Sequence, residues 1–177
     1  MKQLQWTFKG NELLNDIEGI AYNEGYVMKD DADAAKHSIQ DIMAEGNIEL
    51  VIRSMDTAFA NVLDLMHSYT ATEVTTSANK DNTLVDAAKF DGYKVTVNVP
   101  DHFSTSTQEK AVMLIHDYLV KSGLAGYLNA ISPQISVKYH EECNAIGEEL
   151  AKTMNKRTRP VRIKQNPSGG GGSHGDV

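Results

Sequence analysis

Leu4, Trp6 and Phe8 alternate with Gln5 and Thr7, and this period of two predicts a strand or extended arm at the start of the chain. The period then lengthens. Leu13/Leu14, Ile17 and Ile20/Ala21, with Tyr22 beside them, recur at helical spacing after Asn11, a suitable N-cap, with Glu12 in the first turn. Gly25 is expected to close this helix or bend it. Asp30, Asp31 and Asp33 open a second helix, where negative charge is favourable without any metal, and Ala34, Ala35, Ile39 and Ile42 or Met43 form its inner side. Gly46-Asn47 breaks the chain again. Ile48, Val51/Ile52, Met55, Phe59, Val62/Leu63 and Met66 then give the cleanest helical stripe in the sequence, with Arg53, Asp56, Asn61 and Asp64 on the other side.

Beyond Tyr69 the composition turns to Thr and Ser. Thr70–Thr76 has the β-branched content of an edge strand, and Ser77–Lys89 reads as a polar loop or irregular helix. Tyr93, Val95, Val97 and Val99 alternate with Lys94, Thr96 and Asn98, which predicts a half-buried strand stopped by Pro100. Its partner is either Thr70–Thr76, through a long hairpin loop, or the Leu4–Phe8 arm. Ser104-Thr105-Ser106-Thr107 supplies caps for a helix carrying Ala111, Val112, Leu114/Ile115, Tyr118/Leu119, Leu124 and Leu128. That helix is apolar on more than one side, so it is either the most buried element or part of a contact between copies. Gly123 and Gly126 on its later turns let another backbone come close. Ser132-Pro133 starts a last helix with a cap followed by proline at the first position, and Val137 or Tyr139, Cys143, Ile146, Leu150 and Met154 give it a narrow stripe.

The expected fold class is mainly α: a bundle of four to five helices with a small β-hairpin or two-to-three-stranded β element. Residues 1–160 are expected to form a single helical domain, with an N-terminal extended arm and the β element near 70–99. Residues 161–177 are expected to be a tail, first basic and then Gly-rich and flexible. The GGGGS run in that tail is either an expression scar or a native segment that orders only inside an assembly.

Charge changes the picture more than composition does. Apolar residues are 41 % and charged residues 23 % of the 177, which is ordinary globular usage. The net charge of −7, however, divides unevenly. Residues 1–151 carry 11 basic against 23 acidic side chains, a net of −12. Residues 152–177 carry 6 basic side chains against Asp176, a net of +5. Lys152 and Lys156 can serve the C-terminal end of the last helix through its dipole. The dipole explains Arg159, Arg162 and Lys164 poorly, because Pro160 ends the helix at or before the residue that precedes it. An acidic body does not suit a protein whose main surface grips a phosphate backbone. No apolar run reaches the roughly 18 residues of a spanning helix, and Met1–Trp6 lacks a hydrophobic signal region, so neither a membrane partner nor secretion is expected.

The search for chemistry gives little. His116 and Asp117 are neighbours on a helix and point about 100° apart, so they do not pair, and His116 reads as a packed or interface histidine. His140, Glu141 and Glu142 lack the second histidine at i, i+4 that a helical zinc site needs. His37 with Asp33 and Asp41 has ligand spacing but reads as a solvated face of charge pairs. The single cysteine, Cys143, rules out an internal disulfide framework, and carboxylates at Glu141 and Glu142 would raise its pKa, so it reads as a small core residue. No phosphate loop, nucleophile elbow or dinucleotide fingerprint is present. No catalytic, metal or cofactor residue is expected, and the chain is read as not an enzyme. Trp6, Phe8 and Tyr26 form either a partner-binding patch or a local apolar cluster.

The order of elements is the remaining clue. Trp6-Thr7-Phe8 leads into a helix with Ala21-Tyr22 and Gly25, then Asp41-Ile42, Gly46-Asn47 and Arg53. A Thr-rich stretch follows, then a strand ending Val97-Asn98-Val99-Pro100-Asp101-His102-Phe103, two long helices, and Arg157-Thr158-Arg159-Pro160-Val161-Arg162. Over about residues 4–163 this resembles small virion proteins of tailed bacteriophages, including crAss-like gut phages, and is similar in design to their head–tail connectors, the adaptor rings beneath the portal. The resemblance implies a homo-oligomeric ring, a dodecamer, at the virion neck, made in the host bacterial cytoplasm. Its partners would be sister copies, the portal protein and an adjacent neck or tail protein, with genomic DNA passing through without sequence recognition. Arg157, Arg159, Arg162 and Lys164 would be the docking contacts, and the helix from Ala111 to Leu128 would supply surface between copies. A tail-completion or other assembly protein, and a small nucleic-acid-binding regulator using the basic tail, are the alternatives.

Overall fold

The computed structural model describes residues 1–28, 33–44, 46–70, 87–101 and 103–155. Strand β1 (Lys2–Lys9) runs directly into helix α1 (Gly10–Val27), followed by α2 (Asp33–Gln40), α3 (Asn47–Leu65) and the single turn α4 (His67–Thr70). A 3-10 turn at Ala87–Lys89 leads into strand β2 (Gly92–Val99), and the long helices α5 (Thr105–Ile131) and α6 (Pro133–Met154) complete the order. The architecture is therefore mainly α, and the described residues form six helices with one two-stranded sheet.

The strands pair antiparallel over their whole length, from Lys2 opposite Val99 to Lys9 opposite Gly92. Of the two expected partners for β2, it is the N-terminal arm that pairs, so the sheet joins distant segments and is not a hairpin. Thr70 ends α4, and the rest of the Thr70–Thr76 segment lies outside the described residues. The period of two puts Trp6 opposite Val95 and Phe8 opposite Tyr93, all four on the buried face. At the junction of β1 with α1 the backbones come together: Gly10 donates to the Asp91 carbonyl at 3.0 Å. Gly92 has φ 97°, and a side chain there would run into the Phe8 carbonyl, so both conformation and space demand glycine.

Helix α1 buries Leu13, Ile17 and Ala21 and leaves Tyr22 exposed. Two local expectations are corrected here. The N-cap is Lys9 with no side-chain cap, because the first turn is held by the strand junction, and Asn11 lies inside the helix. Gly25 neither closes nor ends α1; it is buried two residues before the end, and Lys36 and Gln40 of α2 pack against it. Helix α3 buries Val51, Ile52, Met55 and Val62 of the stripe read from the sequence, together with Ala58, and Phe59 stacks on Tyr93 at 4.5 Å between ring centres.

Helix α5 is the centre of the molecule and packs on α1, α3 and α6. Ser104 caps it, accepting from the Thr107 amide at 3.2 Å. Most of its apolar positions are buried within the subunit, among them Ala111, Ile115, Leu119, Val120, Leu124, Ala125, Tyr127 and Leu128, while Met113 is exposed. The described structure shows this helix as the most buried element. α5 and α6 turn back on each other through Ser132, with Pro133 in the first turn of α6 and the buried Ser136 hydroxyl donating to the Ala125 carbonyl at 2.9 Å. One apolar cluster runs through the sheet and all the long helices. No described helix is long and apolar enough to cross a membrane.

Candidate functional site

Arg157, Arg159, Arg162 and Lys164 lie outside the described residues; what is described is the point from which they leave. α6 ends with the Asn155 amide and side chain both bonded to the Ala151 carbonyl, at 3.1 and 2.9 Å. The Tyr69 hydroxyl donates to the Met154 carbonyl at 2.6 Å, tying this end of α6 to the end of α4. The basic segment thus starts from a fixed root.

Beside that root a groove of about 640 Å³ runs between the last turns of α3 and the outer side of α6. Asp64 and Leu65 form one wall, Gly147 and Glu148 the other, and Tyr118 and Cys143 lie beneath. Leu65 is 41 % exposed, high for a leucine. The charged groups lining the groove are both acidic, although Glu148 also accepts from Lys152 at 3.3 Å.

A larger cleft of about 750 Å³ opens at the other end of α5, against α3 and the α2–α3 connection. Its polar groups hold the walls together. Tyr127 donates to the Ser38 carbonyl at 2.7 Å, Asn47 to the Asp41 carbonyl at 3.0 Å, and Arg53 pairs with Glu49 at 3.8 Å. Burial first, and then the Asp41 carboxylate, push the Tyr127 phenol above its usual range, so it stays a neutral donor.

The titratable side chains are placed in ways the sequence alone did not show. His116 pairs with Asp16 of α1 at 2.8 Å, across a separation of 100 residues, and not with Asp117. Glu24 of α1 accepts from both Lys138 (2.7 Å) and Tyr139 (2.5 Å) of α6. Burial raises the Glu24 pKa, but the Lys138 and Tyr139 hydrogen bonds outweigh it and leave the carboxyl below its ordinary value. Asp56 accepts from the Tyr93 hydroxyl at 2.7 Å and fastens the sheet to α3. Glu142 pairs with Lys121 at 2.5 Å. These bonds span the interfaces between elements and act as clamps.

Cys143 is buried, and its thiol points to the Tyr118 carbonyl at 3.9 Å. Its pKa is raised to about 11, by burial first, with Lys121 opposing and Glu142 adding a smaller push. Desolvation, and not the neighbouring carboxylates expected from the sequence, is the leading cause. Among the described residues no group of three or more His, Cys, Asp and Glu could hold a metal ion.

Trp6 and Phe8 are each only 3 % exposed, so neither is available at the surface as a partner contact; both belong to the core under the sheet. Tyr26, at 73 %, stands apart from them on the outer side of α1, so the expected three-residue patch does not form. Tyr22, Tyr26 and Val27 instead give α1 an exposed apolar end. Comparison with protein-family models, with curated proteins and with solved structures finds no match to this chain.

Proposed function

We propose that this chain is a structural subunit of a tailed-phage particle, a head–tail connector that joins portal to tail as a ring of copies. The observation that carries the reading is the separation of charge: an acidic body, and a cluster of cationic side chains that follows a fixed helix end. A cationic segment on an acidic protein is suited to docking on a companion surface, and an acidic wall around passing DNA avoids tight phosphate binding. The order of elements and its resemblance to connector proteins support the same reading. α5 buries most of its apolar positions inside the subunit and leaves Met113 exposed, and the exposed end of α1 at Tyr22, Tyr26 and Val27 is a further apolar candidate for contact between copies.

The test is mass in solution, by light scattering on a sizing column, with the chain alone and with the portal protein of the same genome. A ring in either condition, weakened by Tyr22→Glu with Tyr26→Glu, supports the proposal. A chain that stays monomeric in both conditions overturns it. Duplex-DNA binding that falls steeply with salt would favour the regulator reading, since that slope counts phosphate contacts.

A further inference from the structure

Gly10 and Asp91 continue the register of β1 and β2, and the Gly10 amide reaches the Asp91 carbonyl at 3.0 Å. Ladder bonds alternate along an antiparallel pair, so Phe8 with Tyr93, Trp6 with Val95 and Leu4 with Val97 are the pairs that exchange them. Gln3, Gln5 and Thr7 therefore turn their backbone N–H and C=O groups to the outer side of β1. Among the described residues no other segment bonds to that side, so β1 ends the sheet as an open edge. Proteins guard such edges with a proline, a bulge or a charge along the strand, and from Gln3 to Phe8 this one has none. The apolar face is also incomplete here: Trp6 and Phe8 are buried, but Leu4 on the same face is only half-buried.

We propose that this edge pairs with the same edge of a second copy, antiparallel and about a two-fold axis at Gln5, joining the two sheets into one. An outward residue must meet an outward residue, so only registers that oppose odd positions to odd positions are open. The register centred on Gln5 sets Gln3 of each copy opposite Thr7 of the other and uses every outward group from Gln3 to Thr7. It lays Leu4 beside Trp6 of the other copy, which covers the half-buried end of the apolar face. It also keeps the lysines apart. Lys2 falls opposite Phe8, and the register that would oppose Lys2 to Lys9 pairs an odd position with an even one and is excluded. Lys9 falls opposite Met1, where Glu12 already holds the lysine at 2.7 Å and Asp101 the amino terminus at 3.0 Å. The strand is thus complementary to itself in hydrogen bonding, apolar face and charge. This goes beyond the connector reading and does not rest on it.

On the axis, Gln5 of one copy lies about 5.5 Å from Gln5 of the other between Cα atoms, within the span a disulfide bridges. Gln3 and Thr7 each lie about 13 Å along the strands from their own counterparts. All three side chains are exposed, so a thiol at any of them is accessible and the core is left intact. In the full chain under mild oxidation, Gln5→Cys is expected to form a disulfide-linked dimer about tenfold faster than Gln3→Cys or Thr7→Cys. The wild-type chain, whose Cys143 is buried, gives the background rate. Thr7→Pro removes an outward N–H and spares the ladder to β2, so added to Gln5→Cys it is expected to return cross-linking to that background. Light scattering should give the wild-type chain at least the mass of a dimer, and Thr7→Pro should halve it. Equal rates at the three cysteine positions, a Gln5→Cys rate indifferent to Thr7→Pro, or a wild-type chain that is monomeric on its own would each overturn the proposal. The connector reading is judged separately, by the mass measured with the portal protein.

Discussion

Gly126 faces Ser54 where α5 crosses α3, and a methyl group there has nowhere to go. A Cβ on Gly126 would lie 2.6 Å from the Ser54 Cβ and closer still to its hydroxyl. Ordinary carbon contacts are about 3.5 Å or more, so Gly126→Ala must push the two helices apart by about 1 Å. A gap of that size forfeits roughly a quarter to a half of each contact it opens. The contacts at risk include those around Gly123, where Met55, Val51 and Ile17 converge. Overpacking of this kind costs about 1–3 kcal/mol, and replacing a helical glycine returns about 1 kcal/mol, leaving a net loss of up to about 2 kcal/mol. For a chain of this length that lowers Tm by up to about 8 °C, measurable by circular dichroism. Ser54→Gly should make room, so the double variant should be more stable than the two single losses predict, with a coupling of about 1–3 kcal/mol. Gly19→Ala is the control: it is exposed, a Cβ there meets nothing within 4 Å, and it should stabilise by about 0.5–1 kcal/mol. The reasoning is refuted if Gly126→Ala melts as high as Gly19→Ala, or if Ser54→Gly gives no relief.

Glu24→Ala should remove about 1–3 kcal/mol at pH 7 by leaving Lys138 and the half-buried Tyr139 hydroxyl without their acceptor. The Glu24 carboxyl titrates below its usual 4.5, so its contribution is complete above that pH and fades as pH falls through the lowered value. Urea midpoints of wild type and variant should therefore differ at pH 7 and draw together as the pH is taken down through that lowered value. Ser104→Ala deletes the cap of α5 and should cost about 1 kcal/mol, read from the same urea curves. With a pKa near 11, native Cys143 is about one part in a thousand thiolate at pH 8, against about a quarter for an unfolded thiol, so alkylation should speed up more than a hundredfold in urea. Native modification at the unfolded rate would show that the thiol is not buried.

Helix and strand identity was legible because it depends on local periodicity. The stripe from Val51 to Met66 and the alternation from Tyr93 to Val99 each match one face of the folded element. The Ser104 cap, whose chemistry is complete within four residues, and Pro133 in the first turn of α6 were legible for the same reason, although Ser132 makes no side-chain cap bond there. The basic cluster and the acidic body were visible too, since charge is counted without coordinates. Where the local reading failed, a distant segment had taken over: the strand junction at Asp91 did the work expected of Asn11, and α2 packed against Gly25 where a helix stop was expected.

The sequence alone thus determined the elements, their inner faces and the division of charge, all of which follow from the spacing of neighbours along one chain. Only the tertiary structure decided which strand pairs with β2, that Trp6 and Phe8 are core, and that α5 is buried within its own subunit. It alone brought Asp16 to His116 and Glu24 to Lys138 and Tyr139 across about a hundred residues, and set an acidic groove beside the root of the basic tail. Those facts depend on how whole helices cross, and a crossing is fixed by the sum of many weak contacts that no single stretch of sequence contains.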